Sequence, residues 1–168
     1  MPRLFFALWP DDATRTKLNH VAQKINNEKI HCIKPANLHI TLVFLGEVSV
    51  QDQQRLIQDV TLLKNNSFEL VLTHIDCWKQ PGILFIGANQ IPEPLMELMK
   101  SIRQICDTIG LKTDKRPYKP HITIARNVKR KIKLTMENIK WDVSSFVLVE
   151  SVFNESGVDY RVIKEWLL

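Results

Sequence analysis

Apolar residues fill positions 4–9, from Leu4 through Phe5, Phe6, Ala7 and Leu8 to Trp9, and Pro10 stops the run; this predicts a short buried strand. Asp11 or Asp12 then supplies a helix N-cap. Leu18, Val21, Ala22 and Ile25 follow at helical spacing, which predicts a helix from Ala13 to about Asn27. Lys34-Pro35 breaks the chain, and Leu38 to Leu45 predicts a second strand, closed by Gly46. Leu56, Ile57, Val60 and Leu63 mark a helix over positions 51–64. After an Asn65-Asn66-Ser67 turn, a strand begins at Phe68 and continues toward Trp78.

The order then restarts. A Gln80-Pro81-Gly82 turn leads into an apolar strand over positions 83–88 that resembles the one at 4–9. Pro92-Glu93-Pro94 opens a helix carried by Leu95, Leu98, Met99, Ile102 and Ile105 and stopped by Gly110. A basic loop precedes a strand at His121 to Ala125. Positions 132–139 read as either strand or short helix, and 145–153 and 160–166 as closing strands. The plan of strand, helix, strand, further helix and strand therefore occurs twice. A period this long predicts two pseudo-symmetric α+β lobes, not a solenoid of many short units. The chain is expected to be one bilobal domain over 1–168, with sequence halves of about 1–80 and 81–168. Antiparallel sheets would form a central cleft, with helices on the outside.

The strongest part of the repeat is chemical. His39-Ile40-Thr41-Leu42 returns as His121-Ile122-Thr123-Ile124, beginning at 121 against 39, that is 82 residues later. Side chains on a strand alternate sides, so histidine and threonine share one face while the two aliphatics share the other. Each copy is half core and half site. Two matched copies would bring two imidazoles across a shared cleft. His20, His31 and His74 have no repeated context and are read as ordinary histidines.

Composition narrows the setting. Of 168 residues, 45% are hydrophobic and 24% charged, as in an ordinary globular domain. Twenty-three basic against eighteen acidic residues give a net charge of +5, which suits a polyanionic partner without requiring one. Cys32, Cys77 and Cys106 are odd in number and widely spaced, which argues against a zinc site or disulfide framework and for a reducing cytoplasm. The first residues lack signal-peptide features, and no apolar run approaches the ~20 residues needed to span a bilayer. The expectation is a soluble, cytoplasmic protein without a membrane or obligate protein partner. Monomer is the default, because the duplication supplies both halves of the site.

Two imidazoles facing one centre suit in-line displacement at phosphorus. With an ordinary pKa near 6.5, one ring can act as base on the attacking oxygen while the other acts as acid on the departing one. The threonine hydroxyls can donate hydrogen bonds to the non-bridging oxygens, and Arg126, five residues past His121, can add a charged contact. The sequence supplies no carboxylate clusters of the kind a two-metal site uses, so a metal-free mechanism without cofactor is favoured.

These residues carry a resemblance. Arg3-Leu4-Phe5-Phe6-Ala7, Asn37-Leu38-His39-Ile40-Thr41-Leu42-Val43-Phe44-Leu45-Gly46, Pro120-His121-Ile122-Thr123-Ile124-Ala125-Arg126 and the region around Leu148-Val149-Glu150-Ser151 span nearly the whole chain. Together they resemble the two-histidine phosphoesterase superfamily, and within it the bacterial and archaeal RNA 2′,3′-cyclic phosphodiesterases, also called 2′-5′ RNA ligases. The resemblance implies a bilobal α+β fold and hydrolysis of a terminal 2′,3′-cyclic phosphate on RNA to a 2′-phosphate. Joining or cleavage of 2′-5′ linkages in tRNA halves is also implied. It further implies that His39 donates a proton to the leaving 3′ oxygen and that His121 activates water. Thr41, Thr123 and Arg126 would bind the phosphate. The near-equivalence of the motifs leaves open which histidine is acid and which is base. Asn127 and Trp9 are less typical of the pattern.

Basic residues bracket the second motif: Lys112, Lys115, Arg116 and Lys119 before it, and Lys129, Arg130, Lys131 and Lys133 after. They read equally as a solvated face or as a rim for the RNA backbone, with Lys115, Arg116 and Lys119 as the rim residues. Tyr118 or Phe44 could stack the terminal base or simply pack. Two other readings stay open: a cyclic phosphodiesterase of small nucleotides, and a non-catalytic RNA- or tRNA-binding protein.

Overall fold

The computed structural model describes residues 1–25, 30–128, 134–155 and 157–168. Strand β1 (Arg3–Leu8) leads into helix α1 (Asp12–Gln23) and a two-residue strand β2 (His31–Cys32). A 3-10 turn at Pro35–Asn37 precedes β3 (Ile40–Glu47), followed by α2 (Val50–Thr61), β4 (Phe68–Leu72), β5 (His74–Trp78) and β6 (Ile83–Gly87). The chain continues with α3 (Glu93–Ile109), β7 (His121–Arg126), β8 (Ile139–Val143), β9 (Ser145–Asn154) and β10 (Gly157–Leu167).

The main sheet runs β10-β9-β1-β3-β7-β6-β5, with β2 also paired to β7, and every pairing is antiparallel. Strands β4 and β8 form a separate antiparallel pair. The two His-x-Thr strands are central neighbours, in register at Ile40 and Ile122, each flanked by the strand that opens its own half. The outer strands are exchanged. Strand β5 closes the first half in sequence but pairs with β6, while β9 and β10 from the end of the chain extend the sheet beyond β1.

The apolar run of β1 is unbroken because both faces of that strand are covered. Leu4, Phe6 and Leu8 enter a large core with Leu18 and Val21 of α1, Leu56 and Val60 of α2, and Leu98 and Ile102 of α3. Each such fully buried aliphatic contributes about 1.5–3 kcal/mol. Phe5 and Ala7 turn the other way, into a small cluster with Val147 and Val149 against which Trp9 and Tyr160 pack. One face of the sheet is thus core; the opposite face is free to build a site.

Helix ends follow their sequence signals. The Asp11 carboxylate accepts from the Thr14 amide at 2.7 Å, and Ser49 caps α2 by accepting from the Asp52 amide at 3.0 Å. Gly110, at φ 87°, ends α3 in the left-handed conformation.

Several sequence expectations are corrected. Helix α1 ends at Gln23, and Asn26 and Asn27 lie outside the described residues. The 3-10 turn carries the chain to Leu38, so His39 sits just before β3. The strand expected from Phe68 toward Trp78 is two strands, broken at Thr73 and belonging to different sheets. The second half has no counterpart of α2 among the described residues: 134–138 are irregular, and Ile139 opens β8, whose Ile139, Trp141 and Val143 alternate into the core. Among the described residues no helix is long and apolar enough to cross a membrane.

Candidate active site

Bulges in the two motif strands shape the site, two in β3 against β1 and one in β7 against β6. In β3, Ala7 faces Thr41 while Phe6 faces Val43, so Leu42 is the extra residue. Leu42 and Val43 are both buried, and Phe44 returns to the face of Thr41, where it is 45% exposed. In β7, Phe85 faces Thr123 while Leu84 faces Ala125, so Ile124 is the extra residue. Ile124 and Ala125 are both buried, and Arg126 returns to the face of His121 and Thr123.

The backbone fixes both imidazoles in the same tautomer. His39 donates from Nδ1 to the Asn37 carbonyl at 2.7 Å, and His121 from Nδ1 to the Lys119 carbonyl at 2.8 Å. Each acceptor lies two residues before its histidine. A carbonyl can only accept, so each Nδ1 carries the hydrogen and each neutral ring keeps its lone pair on Nε2. The Thr41 hydroxyl lies 3.0 Å from His39 Nε2 and donates to it.

Aromatic rings hold each imidazole. Trp9 stacks on His39 at 5.7 Å with an interplanar angle of 21°, Phe5 lies at 5.0 Å, and Tyr160 presents its edge at 5.1 Å. Trp78 meets His121 edge-on at 4.6 Å and Phe85 at 5.7 Å. Burial among these rings disfavours the charged form. It pushes His39 down to about 4, reinforced by the positive charge of Arg126 and Arg15. His121 is lowered for the same reason, with Arg126 again acting against its protonation.

His39, His121, Thr41, Thr123 and Arg126 all line one cavity of about 830 Å³. The residues singled out on the two repeats are therefore brought together. A second cavity of about 520 Å³ adjoins it and shares Thr41, Phe44 and His121. Among the described residues no group of three or more His, Cys, Asp or Glu side chains is arranged to hold a metal ion.

Residues 10–152 match the model of the 2′-5′ RNA ligase superfamily. The chain belongs to that superfamily. It is 29% identical to the RNA 2′,3′-cyclic phosphodiesterase of Escherichia coli strain K12, over 99% of this chain and 96% of that protein. It is 28% identical to the RNA 2′,3′-cyclic phosphodiesterase of Archaeoglobus fulgidus, over 96% and 98%. The crystal structure of E. coli LigT complexed with 3′-AMP superposes with a TM-score of 0.93 at 29% identity, covering 100% of this chain and 99% of that one.

In this superfamily member the basic rim divides. Arg116 and Lys119 are exposed and line the smaller cavity, Arg116 in an ion pair with Asp114; Lys115 is exposed on the same loop and lines neither cavity. Tyr118 is half-buried, packs against the large core and donates its hydroxyl to the Thr41 carbonyl at 3.0 Å, tying this loop to β3. Its burial pushes its own pKa up. Lys129, Arg130, Lys131 and Lys133 lie outside the described residues.

Sequence reasoning missed the second ring of the site. His31 and Lys34 line the larger cavity, His31 accepting at Nδ1 from the Asn127 side chain at 2.7 Å and Lys34 paired with Asp159 at 2.8 Å. Asn127 sits at φ 60°, a left-handed conformation asparagine tolerates, and so serves as the stop of β7. Two-residue β2 has no periodicity to read, but an asparagine just past the second motif was a usable signal.

Proposed function

We propose that the protein is a metal-independent RNA 2′,3′-cyclic phosphodiesterase that opens the ring to leave a 2′-phosphate. One observation carries the reading: two imidazoles, fixed in the same tautomer by equivalent backbone carbonyls, line one cavity with two threonine hydroxyls and an arginine. The names of the relatives in E. coli and A. fulgidus support the same chemistry.

In the proposed mechanism Thr41, Thr123 and Arg126 hold the non-bridging oxygens, and Arg126 compensates the charge that builds on them. His121 Nε2 takes a proton from water as the water oxygen attacks phosphorus. The bond from phosphorus to O3′ breaks, and O3′ takes the proton carried by Nε2 of His39. Burial leaves both free rings neutral. The anionic phosphodiester favours imidazolium beside it, so the substrate brings about the protonation that its own cleavage requires. The net charge of +5 and the exposed Lys119 beside the cleft favour RNA over an uncharged ligand.

The test is incubation with a short RNA ending in 2′,3′-cyclic phosphate, with identification of the product isomer. A 2′-phosphate is expected, with activity unchanged by EDTA. His39→Ala and His121→Ala are each expected to lower turnover by about 10²–10⁴-fold while RNA binding persists. Near-normal turnover in either variant overturns the catalytic assignment, and a 3′-phosphate product overturns the assignment of the leaving oxygen.

A further inference from the structure

His39 stands just outside its strand. It follows the 3-10 turn at Pro35–Asn37, and the pairings of β3 with β1 and β7 begin one residue later, at Ile40. The imidazole therefore depends on what holds the turn, which supplies the Asn37 carbonyl to Nδ1, and on what holds Trp9, which stacks on the ring.

Arg15 of α1 grips both. Its Nη1 donates to the Pro35 carbonyl at 2.7 Å and to the Leu38 carbonyl at 3.3 Å, and its Nη2 donates to the Pro10 carbonyl at 3.0 Å. Leu38 immediately precedes His39, and Pro10 immediately follows Trp9. One planar guanidinium thus sets the spacing between the two backbones that carry the stacked rings, with a geometry that a lysine cannot reproduce. The same guanidinium lies over the Trp9 ring, 5.3 Å from its centroid. The turn is anchored to β10 as well, where the Asn37 side chain donates to the Val158 carbonyl at 2.9 Å.

The placement is unfavourable for a cation taken by itself. Arg15 lies near the start of α1, where the helix dipole disfavours positive charge, and burial lowers its pKa; Asp11 and Asp12 act in the opposite direction. The Asp11 cap fixes where the side chain leaves the helix, its carbonyl accepting from the Arg15 amide at 2.8 Å. Arg15 lines neither cavity of the site, so its action on the reaction is indirect.

We propose that Arg15 is a positioning residue for proton transfer by His39: its fork holds the 3-10 turn and Trp9 together, so that the ring keeps Nδ1 on the Asn37 carbonyl and presents Nε2 to the leaving oxygen. The catalytic consequence rests on the function proposed above; the clamp rests on the geometry of the three carbonyls. Without the fork the turn and the indole separate, and a misplacement of about 1 Å at a catalytic group costs on the order of 10²-fold in rate.

The test compares Arg15→Lys and Arg15→Met in the full chain, each with and without His39→Ala, on adenosine 2′,3′-cyclic phosphate. Lysine keeps the charge without the planar fork, and methionine keeps only the stem. Both should lower kcat by about 10–10²-fold with KM within roughly threefold. Neither should lower the residual turnover of His39→Ala by more than about twofold, because the residue through which Arg15 acts is already gone. In nitrogen-resolved NMR spectra of the ligand-free protein, the Nδ1–H of His39 should exchange with water at least about tenfold faster in both variants, while that of His121 is unchanged. Full kcat in Arg15→Lys, or the same fold loss with and without His39, overturns the proposal. If the unaltered chain fails to hydrolyse the cyclic phosphate, the catalytic reading falls, and the exchange rates still decide the clamp: an unchanged His39 Nδ1–H in both variants overturns it.

Discussion

Phe44 and Arg126 occupy equivalent positions on the two walls of the site. Each is the fifth residue after its histidine, and each is returned to the site face by one bulge, at Leu42 and Ile124 respectively. The repeat thus presents two histidines held by equivalent backbone carbonyls and two threonines on one cavity, and at this matched pair it sets an aromatic ring against a guanidinium. That difference gives an otherwise near-symmetric cleft a direction: Arg126 lines only the larger cavity, while Phe44 lines both. Arg126→Ala should lower kcat/KM for the cyclic phosphate by about 10²–10³-fold, the loss expected for a donor to a developing oxyanion. Phe44→Ala should act mainly on KM, with kcat within roughly threefold. Equal effects of the two variants on kcat would show that the walls are interchangeable after all.

The pH profile should separate the free enzyme from the complex. The proposed mechanism needs a free enzyme with His39 protonated and His121 neutral, yet burial holds His39 down to about 4 and lowers His121 as well. The optimum of kcat/KM should therefore lie on the acid side of 6.5, with limbs that belong to the coupled pair. In the complex the phosphate anion favours imidazolium, so the optimum of kcat should lie at higher pH. Because Arg126 acts against protonation of both rings, Arg126→Ala should raise both histidine pKa values, visible as a shift in their NMR titrations. A kcat/KM profile centred at or above pH 7 would contradict the burial argument.

The His-x-Thr strands were legible in the sequence because period-2 alternation needs only four residues and the chain writes the pattern twice. The fifth-residue position of Arg126 was legible too, but the bulge that turns it onto the site face was not, since a bulge inserts no signature residue at Leu42 or Ile124. The rings around the histidines were hidden for a different reason. Phe5 and Phe85 read as core because their strands are apolar throughout. Trp78 reaches His121 because β5 pairs with β6 of the other half, and Tyr160 reaches His39 because β9, the neighbour of β10, pairs with β1 of the other half. Exchange of that kind is set by long-range pairing, which local pattern does not report.

Stability should fall on mild acidification. A histidine held neutral in the fold but free to charge near 6.5 when unfolded leaves the unfolded state binding more protons between those values. Above 6.5 the fold suffers no penalty. As pH drops through 6.5 toward 4, His39 withdraws up to roughly 3 kcal/mol, with His121 adding in the same direction. Urea unfolding at pH 7.5 and 4.5 should show this loss, and His39→Gln should flatten the dependence. An unchanged midpoint across that interval would mean that the ring is solvated.

Gly87 is the position where the smallest substitution should be felt at the site. It ends β6, paired to His74 on one side and to His121 on the other. A Cβ built at Gly87 would lie 2.7 Å from Nε2 of His74, closer than real contacts allow, and the His74 ring is held from its far side by the Thr73 hydroxyl at 3.1 Å from Nδ1. Gly87→Ala should therefore destabilise the fold by about 1–3 kcal/mol, the usual cost of overpacking. Removing the obstructing ring should relieve it, so Gly87→Ala with His74→Ala should cost less than the sum of the two single changes in a double-mutant cycle read by denaturant midpoints. Because His121 is the cross-strand partner, Gly87→Ala should also lower turnover of the cyclic phosphate, and His74→Ala should restore part of it. Strict additivity would show that the backbone yields before the ring does.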